Sequence, residues 1–426
     1  MRLVTTIVSI TLGLAGCVSA PERPTTDQEG AAPVFSDTGP DADAYGKPLG
    51  YPTGFPVKRQ QNLVGNFSNY DKLFPTHVVA SADQPSTLLR ADHELSATYV
   101  YRGQTYTIDD YLARNPVTGL LIARGDAILF EHYRYGRSDQ DRFMSQSMAK
   151  TVTSMLIGIA VQEGSIHSVD DLAQKYVPEL SDTEFGRTSI RALLHMASGI
   201  AFTESYDSNG NDTGDNAKLG QALFSRAGSG PIIAVSQFNT RIAPPDTLWH
   251  YADPNAEVLG LILSRATHMT MAQYLQSRIW QPMGAEADAR WVVDNTGQEI
   301  AYCCFNATLR DYTRFGLLLA HDGAWNGRQI IPKKWIMDAT EPIDPGSFLT
   351  VEKGPHPRGY GYQIWLMPGP RRTFVLEGIE GQRIFVDSAS GLVLVHTAVR
   401  LRATTDPGEA ELVALWRSIL DGYEYH

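Results

Sequence analysis

Ser147-Met148-Ala149-Lys150, running on through an apolar segment to Glu163, decides how this chain is read. It sets a hydroxyl and an amine three residues apart, and at helical spacing positions i and i+3 share a face. Met148, Ala149, Val152, Met155, Leu156, Ile157, Ile159, Ala160 and Val161 leave almost no polar side, which predicts a buried helix over 147–163. Gly164 supplies its stop. Ser147 is then a candidate nucleophile and Lys150, one turn from the positive end of the helix dipole, a candidate base. A Ser-x-x-Lys pair also describes a helix cap followed by a solvated lysine. Against that, no other lysine has a serine three residues before it, and this one lies inside apolar sequence.

Working outward, Gly119 to Ala123 and Ile128 to Tyr135, joined by Arg124-Gly125-Asp126, read as a β-hairpin feeding the helix. Beyond it, Val169 to Leu172, Ile190 to Met196, Asn255 to Thr267, Met271 to Trp280 and Leu309 to Ala320 show helical spacing. The polar loop from Glu204 to Gly220 is either a surface excursion or a rim over a cleft. Strands return at Tyr362 to Met367, Arg372 to Glu377, Arg383 to Asp387 and Leu392 to Val399. Leu412, Leu415, Trp416, Ile419 and Leu420 then line one face of a closing helix. An early hairpin, late strands and helices between them predict one antiparallel sheet built from both ends of the chain. The helical subdomain falls at roughly 150–340.

Two further segments carry chemistry. In Tyr251-Ala252-Asp253-Pro254, Asp253 can cap the following helix and Pro254 suits its first turn. Tyr251 has no such structural explanation, and beside a cationic lysine that lowers its pKa it could shuttle a proton. In Gly378-Ile379-Glu380-Gly381-Gln382 the glycines allow a close approach to a ligand, and the Ile379 N–H could hold an oxyanion; alone, the segment reads equally as a bulge or turn.

In order and spacing, these three elements resemble those of the penicillin-recognising serine hydrolases, in the class C β-lactamase-like branch. That branch includes esterases, D-aminopeptidases and 6-aminohexanoate-dimer hydrolases. Leu193-Leu194-His195-Met196-Ala197-Ser198-Gly199 and Tyr360-Gly361-Tyr362-Gln363 add to the resemblance, which spans roughly Gly119 to Leu420. Gly378-Ile379-Glu380-Gly381-Gln382 is most similar to the nylon-oligomer hydrolase group.

The resemblance implies an α+β, β-lactamase/DD-peptidase-like fold, an antiparallel sheet flanked by helices with an inserted helical subdomain, and acyl transfer through a covalent intermediate. Ser147 would attack a carbonyl, Lys150 would take its proton and Tyr251 would pass a proton to the leaving group. The N–H groups of Ser147 and Ile379 would hold the oxyanion. Asp253, Gly378, Glu380 and Gly381 are the expected substrate contacts. Asp253 stands where the family commonly has Asn, and Glu380 falls where β-lactamases have Lys-Thr-Gly. Unless Glu380 points to solvent, it should repel a β-lactam carboxylate and favour neutral or amine-bearing esters and amides. A non-catalytic module binding cell-wall peptides and a D-aminopeptidase or DD-peptidase-like enzyme are the competing readings. There is no G-x-S-x-G elbow and no H-E-x-x-H.

The 426 residues are 43% hydrophobic and 19% charged, ample for a large core. A net charge of -11 without any basic run argues against a nucleic-acid partner. Residues 1–17 have the build of an export signal, and Leu14-Ala15-Gly16-Cys17 resembles a lipobox, which makes Cys17 the expected lipidation site and membrane anchor in a bacterial cell envelope. Val18-Ser19-Ala20 is the competing cleavage site, disfavoured by Pro21. Pro-, Thr- and Asp-rich residues 18–53 read as a flexible tether, leaving 54–426 as the hydrolase domain. Cys303 and Cys304 have no zinc-ligand spacing and, being adjacent, are not expected to bridge. Neither a metal nor another cofactor is expected; the substrate is a small ester or amide, and the sequence leaves the oligomeric state open.

Overall fold

Alternation in the late strands buries both of their faces, because the sheet they form is covered on each side. In Leu392–Ala398, Val393 and Val395 enter one core while Leu392 and Leu394 enter another. The computed structural model describes residues 39–206, 214–341, 349 and 358–423. The helices that position the site are α1 (Gln60–Ser68), α2 (Ala149–Gln162), α3 (Asp253–Thr267), α4 (Leu309–Ala320) and α5 (Gly408–Asp421).

The main sheet has eight strands: β1 (Leu89–Arg90), β2 (Val117–Arg124), β3 (Ala127–Tyr133), β4 (Gly359–Tyr360), β5 (Trp365–Leu366), β6 (Thr373–Gly378), β7 (Gln382–Asp387) and β8 (Leu392–Ala398). Their order is β4-β5-β6-β7-β8-β2-β3-β1, antiparallel except for β1 at the edge. Leu394 pairs with Ile122, so both ends of the chain build the sheet, as expected. On one face α4 lies across β7, β8 and β2, and it comes close because Gly316 has no side chain. A Cβ there would sit 2.6 Å from Val393 Cγ1. On the other face Trp416 of α5 stacks on Phe385 at 5.4 Å.

The middle of the chain is not wholly helical. Thr76–Val79, Ala289–Val292, Phe305–Ala307 and Phe143–Met144 form a second, four-stranded antiparallel sheet. Strands of two to four residues carry too little alternation to be read from sequence. Residues 169–172 form no helix; Leu172 bridges Ser189 instead.

The last part of the expected tether, 18–53, packs on the folded body. Ala42 and Tyr45 are buried, and the Tyr45 hydroxyl donates to the Val399 carbonyl at 2.8 Å. An isolated aromatic among prolines gave no periodic signal, yet it finds a slot on the folded body. Cys17 and residues 18–38 lie outside the described residues. The expectation for the adjacent cysteines is overturned: Cys303 and Cys304 form a disulfide across Cα atoms 3.8 Å apart. Cys304 adopts φ 68°, a left-handed turn that swings its side chain back onto its neighbour.

Candidate active site

Ser147 lies in a 3₁₀ turn, Gln146–Met148, that runs directly into α2. Gln146 has φ 47°, a conformation few residues other than glycine adopt, and it lifts the serine out of the helix into a cleft. The turn is fixed from behind by Ser145, whose N–H donates to the Phe305 carbonyl at 2.7 Å and whose hydroxyl accepts from the Phe305 N–H at 3.1 Å.

Lys150, 1% exposed, holds its Nζ 2.9 Å from Ser147 Oγ. The same nitrogen lies 3.1 Å from the Tyr302 carbonyl and 2.7 Å from Asp253 Oδ1. Buried pairs of this kind are costly to break one partner at a time. Asp253 therefore does not cap its helix: it sits inside the first turn of α3, and its carboxylate faces the lysine rather than the cleft. The proline in that first turn is as expected.

Tyr251 hydrogen-bonds Ser147, stacks on Trp365 at 5.8 Å and lies over Lys150, whose Nζ is 4.9 Å from its ring centre. Its phenol does not have the lowered pKa expected beside a lysine. Burial, then the charges of Asp253 and Glu204, push it well above the ordinary value, so the hydroxyl keeps its proton. Trp249 and Tyr360 complete an aromatic wall, with ring centres 5.7 and 4.9 Å from Trp365.

Ile379, just beyond the end of β6, faces the same cleft as Ser147. Gly378 is what lets them approach: a Cβ there would lie 2.4 Å from the Ser145 carbonyl oxygen. Glu380 and Gly381 are corrections. Glu380 is 4% exposed at φ 61°, and this left-handed turn aims its carboxylate away from the cleft, onto Gln146 Nε2 at 2.7 Å and Lys58 Nζ at 2.8 Å. Gly381, at φ 98°, is a turn whose carbonyl accepts from His396 Nδ1 at 2.6 Å. The carboxylate repulsion expected from Glu380 has no basis in this geometry.

The cleft, about 790 Å³, brings together Ser147, Tyr251, Gly378 and Ile379 with residues that carried no motif. Glu204 and Tyr206, from the start of the polar loop, form part of its lining. Glu204 accepts from the Asp253 N–H at 3.0 Å, and burial beside Asp253 pushes its pKa up to about 8. Arg358 and Arg383 line another part, each paired with Glu377 and Glu409. These two arginines and two glutamates balance in charge, and no local pattern announces them because three separate segments supply them.

A hydroxyl touched by a buried amine and a phenol, opening on two backbone segments at a strand end, can carry out acyl transfer. A model of the β-lactamase family matches residues 107–415. A 6-aminohexanoate-dimer hydrolase from Paenarthrobacter ureafaciens is 25% identical over 361 residues, 83% of this chain and 88% of that protein. Among solved structures, a candidate 6-aminohexanoate-dimer hydrolase from Bacillus anthracis aligns with TM-score 0.77 at 22% identity, covering 87% of this chain and 95% of that one. A D-stereospecific amidohydrolase from a Streptomyces species aligns with TM-score 0.51 at 16% identity, over 73% of this chain and 95% of that one. The chain belongs to the β-lactamase family and is a serine hydrolase.

Proposed function

We propose that this hydrolase cleaves linear esters or amides through an acyl-enzyme on Ser147, with Lys150 as base, Tyr251 as proton shuttle and the N–H groups of Ser147 and Ile379 as the oxyanion hole. The observation that carries the reading is the 2.9 Å contact between Lys150 Nζ and Ser147 Oγ inside the cleft. The base role requires Lys150 Nζ to turn a lone pair to Ser147 Oγ, with its remaining hydrogens directed at the Tyr302 carbonyl and Asp253.

Attack forms the bond from Oγ to the carbonyl carbon and moves the serine proton to Lys150. Collapse of the tetrahedral species expels the alcohol or amine, which takes a proton from Tyr251; Tyr251 is reprotonated from Lys150. Water then attacks the acyl carbonyl and gives a proton to Lys150; the bond from that carbon to Ser147 Oγ breaks, Oγ takes the proton back from Lys150, and the acid leaves. A phenol whose pKa is raised suits the donor role, since it arrives protonated.

The substrate class follows from the wall. Tyr251, Trp365 and Ile379 offer apolar surface, and both cleft arginines are already paired with glutamates. A β-lactam carboxylate would have to displace one of those pairs, so neutral or amine-bearing chains are the better substrates. The relative named for 6-aminohexanoate dimer makes short ω-amino acid amides the first to try.

The test is labelling with a fluorophosphonate, followed by turnover of p-nitrophenyl esters, ω-amino acid amides and nitrocefin. One adduct on the Ser147 peptide is expected, absent in Ser147→Ala; persistent labelling of that variant refutes the assignment. Nitrocefin turnover matching that of the esters refutes the substrate class.

The enzyme is further proposed to be a lipoprotein of the cell envelope, anchored through Cys17. Wild type should partition into detergent, and Cys17→Ala should remain unprocessed or become soluble. Equal partitioning of processed wild type and variant would rule out lipidation.

A further inference from the structure

The two backbone donors of the proposed oxyanion hole belong to segments that meet only in space, and each is flanked by a strained residue. Gln146, φ 47°, immediately precedes Ser147; Glu380, φ 61°, immediately follows Ile379. Those two residues are joined to each other, Gln146 Nε2 donating to Glu380 Oε2 at 2.7 Å. The other carboxylate oxygen, Oε1, takes Lys58 Nζ at 2.8 Å. Each oxygen of one buried carboxylate thus holds one partner, and the chain Lys58–Glu380–Gln146 runs behind the site.

Lys58 is itself held in place. Its loop is pinned to α1 by Asn66, which accepts from the Gly54 N–H at 2.8 Å and donates to the Gly54 and Val57 carbonyls at 3.0 and 2.8 Å. The Glu380 backbone is anchored on its far side, its N–H donating to Ala403 and its carbonyl accepting from Arg400. Neither strained residue would hold a left-handed conformation unless its surroundings fixed it.

Resting on the acyl-enzyme reading above, we propose that Gln146, Glu380 and Lys58 are positioning residues that set the separation and aim of the Ser147 and Ile379 N–H groups. An N-terminal segment upstream of the family match thereby helps define where the oxyanion sits. Such donors act by preorganisation, so a small misplacement lowers the rate of acylation more than the affinity for substrate.

The experiment uses the full chain with p-nitrophenyl butyrate and a fluorophosphonate, recording kcat, KM, inactivation rate and Tm. Glu380→Gln can keep both contacts, its oxygen on Lys58 and its amide nitrogen on a turned-over Gln146, whereas Glu380→Leu removes the connection. Glu380→Leu is expected to lose on the order of 10-fold or more in kcat and inactivation rate, with KM changed by less than about twofold, and Glu380→Gln to lose less. Lys58→Met should show a smaller loss of the same kind. Gln146→Glu alone sets two carboxylates in contact and should lose as much as Glu380→Leu; adding Glu380→Gln restores a donor–acceptor pair and should recover most of the rate. Unchanged kcat in Glu380→Leu overturns the proposal, as does an exchange variant no better than Gln146→Glu. If Glu380→Leu does not fold, Gln146→Glu and the exchange decide. Wild type that is not labelled at Ser147 instead overturns the acyl-enzyme reading itself.

Discussion

Glu204 offers a sharp pH signature at the level of a single side chain. Its carboxyl, with a pKa of about 8, is neutral at pH 7 and gains a charge beside Asp253 and Tyr251 as pH rises past that value. A new negative charge there strengthens the hold of Tyr251 on its proton and slows its donation to the leaving group. The kcat profile should therefore fall above about pH 8 in wild type, and Glu204→Gln should keep its rate; a falling limb at the same pH in the variant would exclude this origin. Ser147, Lys150, Tyr251 and Ile379 were brought to one site by the resemblance of three motifs taken in order, since none of those motifs is specific alone. The sequence misplaced Glu380 because the side on which a residue emerges from a turn depends on the sign of φ, and a non-glycine residue at φ 61° is not written in residue type.

Among the elements, the junction between β6 and the turn carrying Ser147 is the tightest part of the site. Gly378→Ala puts a methyl 2.4 Å from the Ser145 carbonyl oxygen and 2.7 Å from Gln146 Cβ, so one segment has to retreat. We expect a loss of roughly 100-fold in kcat/KM, the scale of one lost oxyanion donor, with Tm lowered by only a few degrees. Stopped activity with full loss of folding would instead make the glycine purely structural. The long elements were legible: α4 spans Leu309–Ala320 as its spacing predicts, and β7 and β8 fall within a residue of their expected bounds. The short ones were not. The expected strand Tyr362 to Met367 contracts to Trp365–Leu366, and the helix expected from Met271 to Trp280 changes to a π-turn at Gln276. Such local departures answer to packing that no window of sequence contains.

For the whole molecule, buried ionisable groups set how stability responds to pH. Glu257, in the second turn of α3, accepts from the Ala301 N–H at 3.0 Å, and burial raises its pKa from 4.5 to about 8. The unfolded chain releases this proton from about pH 4.5, whereas the folded one keeps it to about pH 8. Between those values the folded state binds more protons, so stability falls as pH rises, by at most about 1.4 kcal/mol per pH unit from this group, and levels off above pH 8. Denaturant unfolding from pH 5 to 8 should show a shallower decline in Glu257→Gln than in wild type. Parallel slopes would show that the group does not titrate in this range.

The pairing of Tyr45 with Val399 and of β2 with β8 also has a bearing on how the chain is made. Early elements wait for partners made far behind them, 354 residues separating Tyr45 from Val399. The central sheet therefore cannot close until β8 has been synthesised. Hydrolytic competence, which needs that sheet to hold Ile379 by Ser147, cannot precede the pairing. Contacts of such long sequence separation also make for slow folding.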